Sequence, residues 1–95
     1  MRELAELRQE LDGLDREIVA LFERRMNVSR EVARYKQSHD LPVLDQSREA
    51  QVIASRAAML SDASLAPSVR ELYETIMALS RKEQEAFLKE VRGHA

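Results

Sequence analysis

The sequence predicts an all-α chain of three helices: long, short and medium, in that order. Three observations lead there. Its 95 residues hold two glycines and two prolines, too few for a sandwich or barrel, which needs turn residues about every 8–12 positions. Leucines and an isoleucine recur in steps of three and four from Leu4 to Leu21, the period of a helix rather than a strand. The composition is 44% hydrophobic and 34% charged, which suits a folded chain and excludes intrinsic disorder.

The first helix runs from about Arg2 to Ser38. Leu4, Leu7, Leu11, Leu14, Ile18 and Leu21 form a heptad seam, and its rhythm continues through Arg25, Val28, Val32 and Tyr35. Such a helix would be roughly 54 Å long, against roughly 25–30 Å for the diameter of a domain this size. It therefore needs a partner along its length. Gly13 costs about 1 kcal/mol relative to alanine without breaking the helix. Between Ser38 and Ser47, Pro42 biases Leu41 away from helical angles. Asp45 is the better N-cap for the second helix and Ser47 the weaker. That helix carries Val52, Ile53, Ala57, Met59 and Leu60 and ends near Ser61. The loop SDASLA leads to Pro67, which the first turn of a helix tolerates. The third helix reads Val69, Leu72, Ile76, Leu79, then Glu83, Phe87 and Val91, and frays near Gly93. Residues 1–95 read as one domain, without repeat or linker.

Composition also bounds function. Cysteine is absent, which removes disulfides, thiolate metal sites and a cysteine nucleophile. The longest apolar run is five residues, Ile18 to Phe22, so nothing is expected to span a membrane. The N-terminal MRELAELRQELD lacks the apolar region of a signal peptide, which makes the cytoplasm the expected location. A net charge of −2 is a poor footprint for nucleic acid. There is no glycine-rich phosphate loop, and His39 and His94 have no metal-ligand spacing to any partner. Catalysis, if any, is expected to proceed without a covalent intermediate, a metal or a cofactor.

Several polar residues break the apolar pattern. Arg25 stands where the seam expects an apolar side chain, and an unpaired guanidinium in a bundle core is costly. Either the helix leaves its partner there and Arg25 reaches water, or Arg25 is an inward cation awaiting an anion. Lys36 lies eleven residues later, within about 20° of the same face and roughly 16 Å along the axis. Long side chains can narrow that gap around a small diacid, with Val32 between them. Arg8 adjoins the seam, but it is roughly 25 Å from Arg25 and turned by about 260°. The two cannot share a small ligand within one straight helix, although two antiparallel helices would allow it. Taken alone, Arg8 reads more simply as a solvated arginine. Ser80 and Gln84 follow Leu72 and Ile76 at i, i+4 spacing. Either the apolar face drifts around the helix, or the pair is a hydrogen-bonding floor for a ligand. Asp45, Arg48 and Glu49 cluster at the start of the second helix. Capping and the helix dipole are sufficient reasons for the carboxylates, yet a helix N-terminus can also bind anions.

In order and spacing, these residues resemble the all-helical class of chorismate mutases, monofunctional and bacterial in type. The resemblance covers about Leu4 to Leu88 and is carried by LRQELDGLDREIVALFERRM, EVARYK, PVLDQSRE and the pair Ser80 and Gln84. It implies a homodimer of three-helix chains with intertwined first helices. That dimer would rearrange chorismate to prephenate without a cofactor, in aromatic amino-acid biosynthesis. By the same resemblance, Arg25 binds a substrate carboxylate from its own chain, and Arg8 binds one in the partner's site. Lys36 and Gln84 donate to the ether oxygen. Glu49, with the backbone at Asp45, holds the ring hydroxyl. Arg48 and Ser80 complete the polar lining, and Val32 is part of the apolar wall. The residue types suit a dianion whose ether oxygen gains negative charge in the transition state, because donors there favour the transition state over the ground state. The arginines would hold the enolpyruvyl arm over the ring. The loop from Ser61 to Ala66 is slightly shorter than in bacterial members, which bears on the alignment of Ser80 and Gln84. No dehydratase, dehydrogenase or regulatory domain is expected to follow.

Three other readings compete. An isochorismate-pyruvate lyase of the same fold shares the arginines, the lysine and a glutamine, but is expected to lack the DxxRE pattern of Asp45, Arg48 and Glu49. A 4-amino-4-deoxychorismate mutase differs at the ring substituent that Glu49 would touch, and the sequence leaves that open. A non-catalytic helical dimerisation module explains the heptad but not Arg25 in the seam, nor Ser80 and Gln84.

Overall fold

A computed structural model describes Met1–Gly93; His94 lies outside the described residues. Three helices follow one another: α1 (Leu4–Ser38), α2 (Gln46–Ala58) and α3 (Ala66–Gly93). The all-α expectation holds, and the described residues contain no strand. α1 runs unbroken through Gly13. It starts at Leu4 rather than Arg2, because Glu3 is the extended N-cap residue and makes no side-chain cap. α2 stops at Ala58, short of Ser61, where the Met59 and Leu60 amides turn back to the carbonyls of Arg56 and Ala57.

The connections are built from short polar side chains. α1 closes in a Schellman motif: the Leu41 N–H donates to the Lys36 carbonyl at 2.8 Å, and the Asp40 N–H to the Gln37 carbonyl at 3.4 Å. Asp40 takes the left-handed conformation, φ 54°, which aspartate tolerates better than most side chains. Pro42 follows and cannot extend the helix. The chain reverses tightly enough for Lys36 Nζ to donate to the Val43 carbonyl at 2.9 Å. Asp45 then caps α2, accepting from the Arg48 N–H at 3.0 Å. The SDASLA segment, expected to be plain loop, contains a single 3₁₀ turn, Ala63–Leu65. Asp62 organises it by accepting from the Ser64 hydroxyl at 2.6 Å and the Ser64 N–H at 3.0 Å. Those two bonds, the hydroxyl's first, hold the Asp62 carboxyl below its ordinary pKa.

α3 packs on both other helices, and α1 and α2 meet only through it. The core is small: Met26 and Ala33 from α1, Val52 and Ala57 from α2, Met77 and Leu88 from α3. Arg34 lies over the Phe87 ring, 5.6 Å from its centroid, and Arg30 pairs with Glu83, so charged side chains also tie α1 to α3. The buried line of α3 is Met77, Ser80, Gln84 and Leu88. This corrects the expected stripe, since Leu72 and Leu79 are exposed. The first half of α1 packs on nothing in its own chain. Leu4, Leu7, Leu11, Leu14, Ile18 and Leu21 are all exposed, Ile18 at 62%. The molecule is accordingly elongated, 58 × 29 × 14 Å. Among the described residues, no helix is long and apolar enough to cross a membrane.

Candidate active site

The three helices line an open cavity of about 330 Å³, at the low end of the roughly 300–1,000 Å³ usual for small-molecule sites. Each helix lines it with a stripe at helical spacing. α1 supplies Arg25, Val28, Ser29, Val32 and Lys36; α2 supplies Arg48, Glu49 and Val52, with Asp45 as its cap; α3 supplies Met77, Ser80, Arg81 and Gln84. The sequence pattern is now explained locally. Positions i, i+3 or i+4 and i+7 share one helix face, so one polar stripe per helix is enough to build a wall.

Arg25 is half-buried and lines this cavity, the position that the inward-cation reading of its place in the seam requires. Lys36, eleven residues along, lines the same cavity, and its bond to the Val43 carbonyl uses one of three ammonium protons. Ser80 and Gln84 are each 7% exposed, so the drifting-face reading fails. Gln84 Nε2 donates to Ser80 Oγ at 3.3 Å. Ser80 Oγ in turn lies 2.7 Å from Ser29 Oγ. Gln84 Oε1 is buried without a partner. Burial makes this chain of three side chains costly to rearrange, since an unpaired polar group there loses its water without compensation.

Of the sequence-predicted set, Arg25, Val32, Lys36, Asp45, Arg48, Glu49, Ser80 and Gln84 come together, and Arg8 does not. Arg8 is exposed on the free half of α1. Straight-helix geometry keeps it roughly 25 Å from Arg25. Sequence reasoning missed Ser29 and Arg81. Ser29 is four residues after Arg25, and Arg81 is four after Met77 and three before Gln84. The helical-spacing signal was therefore present, but the run Arg81, Lys82, Glu83 looks like an ordinary solvated face. Arg81 Nη1 donates to Glu49 Oε1 at 2.5 Å. His39 is outside the cavity, its ring stacked on Tyr35 at 3.9 Å.

The cavity has a net positive lining. Arg25, Lys36, Arg48 and Arg81 face Asp45 and Glu49, four cations against two carboxylates. Among the described residues, no group of three or more histidine and carboxylate side chains is arranged to hold a metal ion. The arrangement can bind a small dianion and present several hydrogen-bond donors to it in a partly desolvated space.

Comparison with known proteins agrees with this chemistry. The chain is 38% identical over 56 residues to the T-protein of Haemophilus influenzae, an alignment covering 59% of the chain and 15% of that protein. It is 32% identical over 72 residues to the 4-amino-4-deoxychorismate mutase of Streptomyces pristinaespiralis, covering 75% of the chain and 56% of that protein. The chain thus spans little of the first relative and just over half of the second. Residues 7–85, which include the whole cavity lining together with Arg8, match the family described as chorismate mutase type II. With that match running from the free end of α1 to beyond Gln84, the chain belongs to the type II chorismate mutase family.

Proposed function

We propose that this chain is a chorismate mutase that rearranges chorismate to prephenate without a cofactor. The observation that carries the reading is the joint lining of one dianion-sized, net positive cavity by Arg25, Lys36 and Gln84. The reaction breaks one C–O bond and forms one C–C bond, with no proton or electron exchanged. What it asks of a protein is orientation and stabilisation of charge on the ether oxygen. Arg25 binds a substrate carboxylate and fixes the reactive conformer, which lowers the entropic barrier. Lys36 keeps protons to spare beyond Val43, and Gln84 Nε2 keeps one beyond Ser80. Both are offered to the ether oxygen, where they strengthen as charge develops. Glu49, with the backbone at Asp45, takes the ring substituent; Arg48 and Ser80 complete the polar wall, and Val32 the apolar one.

The reading includes a homodimer with two equivalent sites. It is supported by the uncovered seam of α1, whose apolar residues have no cover within the chain. Arg8, which cannot reach its own cavity, is the residue given to the partner's site. The test is direct: purified protein is mixed with chorismate and the loss of absorbance followed, with product identified. No consumption of chorismate sinks the proposal. The Streptomyces relative, named for the 4-amino-4-deoxy compound, favours a second reading in which that compound is the substrate. Product analysis with each compound separates the two.

A further inference from the structure

Arg81 is the one charged residue of the cavity that the proposed reaction leaves without a task. It lines the cavity on the same face of α3 as Ser80 and Gln84. Its guanidinium is committed to Glu49 of α2, with Nη1 2.5 Å from Oε1. We propose that Arg81 is a specificity-determining residue: paired with Glu49, it selects a substrate whose ring carries a hydroxyl over one whose ring carries a protonated amine. This rests on the reading above, in which Glu49 meets the ring substituent.

A hydroxyl both donates and accepts, whereas an ammonium only donates. A Glu49–Arg81 pair offers one of each. The free Glu49 Oε2 accepts from a hydroxyl, and an unused guanidinium N–H of Arg81 can donate back to the same oxygen. An ammonium placed there meets Glu49 with half its attraction already spent, and meets the Arg81 cation with nothing to accept. A lone glutamate would favour the ammonium instead, so the arginine reverses the preference. Discrimination of this kind comes from the repulsive element as much as from the attractive one. Two unit charges about 5 Å apart at an effective dielectric near 20 predict that Arg81 by itself shifts the ratio against the amine by more than a hundredfold. The Arg81 side chain is 34% exposed and that of Glu49 19%, so solvent screening lowers the expected effect to about tenfold or somewhat above.

The experiment measures kcat/KM for chorismate and for 4-amino-4-deoxychorismate at neutral pH, on the full chain and three variants. The unaltered chain should prefer chorismate. Arg81→Gln should raise the amino-to-hydroxyl ratio about tenfold, while Arg81→Lys, which keeps the charge, should hold most of the original preference. Glu49→Gln leaves Arg81 unopposed and should push the ratio further against the amine, which keeps the idea testable if Arg81→Gln folds poorly. An unchanged ratio in Arg81→Gln overturns the proposal and leaves the pair as a tie between α2 and α3. An equal fall for both substrates overturns it too, because Arg81 would then hold a group common to both. Turnover of neither compound by the unaltered chain is a different result: it overturns the reaction reading and this inference with it.

Discussion

At Gln84 the buried amide has one free acceptor, Oε1, and a donor, Nε2, committed in part to Ser80. A neutral amide donates at any ordinary pH. Gln84→Glu replaces it with a group that donates only when protonated. Its activity should rise as pH falls, and a pH–rate profile identical to that of the unaltered chain would remove Gln84 from the ether oxygen. Ser29 acts one step back. Its hydroxyl is 2.7 Å from Ser80 and 7% exposed. Ser29→Ala deletes a buried hydrogen bond and should cost about 1 kcal/mol of stability, read from the urea midpoint at constant slope. Arg25, Ser80 and Gln84 were legible in the sequence because each interrupts an apolar rhythm, and Lys36 because it lies eleven residues from Arg25 on nearly the same face. Ser29 and Arg81 were not: a serine within a helix and an arginine beside Lys82 and Glu83 interrupt nothing.

Among the elements, α2 is the shortest helix, 13 residues, and isolated helices of that length are marginal. It depends on its cap and on α3. Asp45→Ala removes the acceptor for the Arg48 N–H and should cost about 1 kcal/mol. Asp45→Asn keeps the acceptor and should be close to neutral in thermal unfolding. If both fold equally well but lose activity, the charge of Asp45 matters to the site and its cap does not. α1 was the easiest element to read, since its seam repeats over many turns. The buried line of α3 was harder. Leu72, Ile76 and Leu79 suggest one face by hydrophobicity alone, whereas the face turned to α1 and α2 carries Ser80 and Gln84. A cavity needs polar groups on a buried face, and a rule that equates buried with apolar misreads that face.

The whole molecule is a long helix with its apolar N-terminal half uncovered, carried by a small packed body. A proposed dimer in which α1 is covered by a second copy predicts that no folded monomer persists at micromolar concentration; sedimentation of a folded monomer would count against it. The shared site is tested by complementation. Arg8→Ala and Arg25→Ala homodimers should each lose on the order of 2–5 kcal/mol of binding and transition-state stabilisation. When the two are unfolded and refolded together, about half the dimers are mixed, and one of the two sites in each mixed dimer regains both arginines. About a quarter of all sites should then recover. An active Arg8→Ala homodimer makes Arg8 a solvated surface residue, and no recovery on mixing places the site within one chain.

The helical class, the order of the three helices, the break before Pro42, the cap at Asp45 and the polar interruptions that mark candidate site residues are all legible in the sequence. Each is a local or periodic property: a backbone angle, a side chain within reach of its own amide, a face repeating at 3.6 residues per turn. Tertiary packing set which face of α3 is buried, that Arg25 lines the cavity, and that Ser29 joins Ser80 while Arg81 joins Glu49. Those contacts join residues 51 and 32 positions apart. Such pairings depend on how two helices cross and rotate against each other, and no periodicity within one helix carries that information.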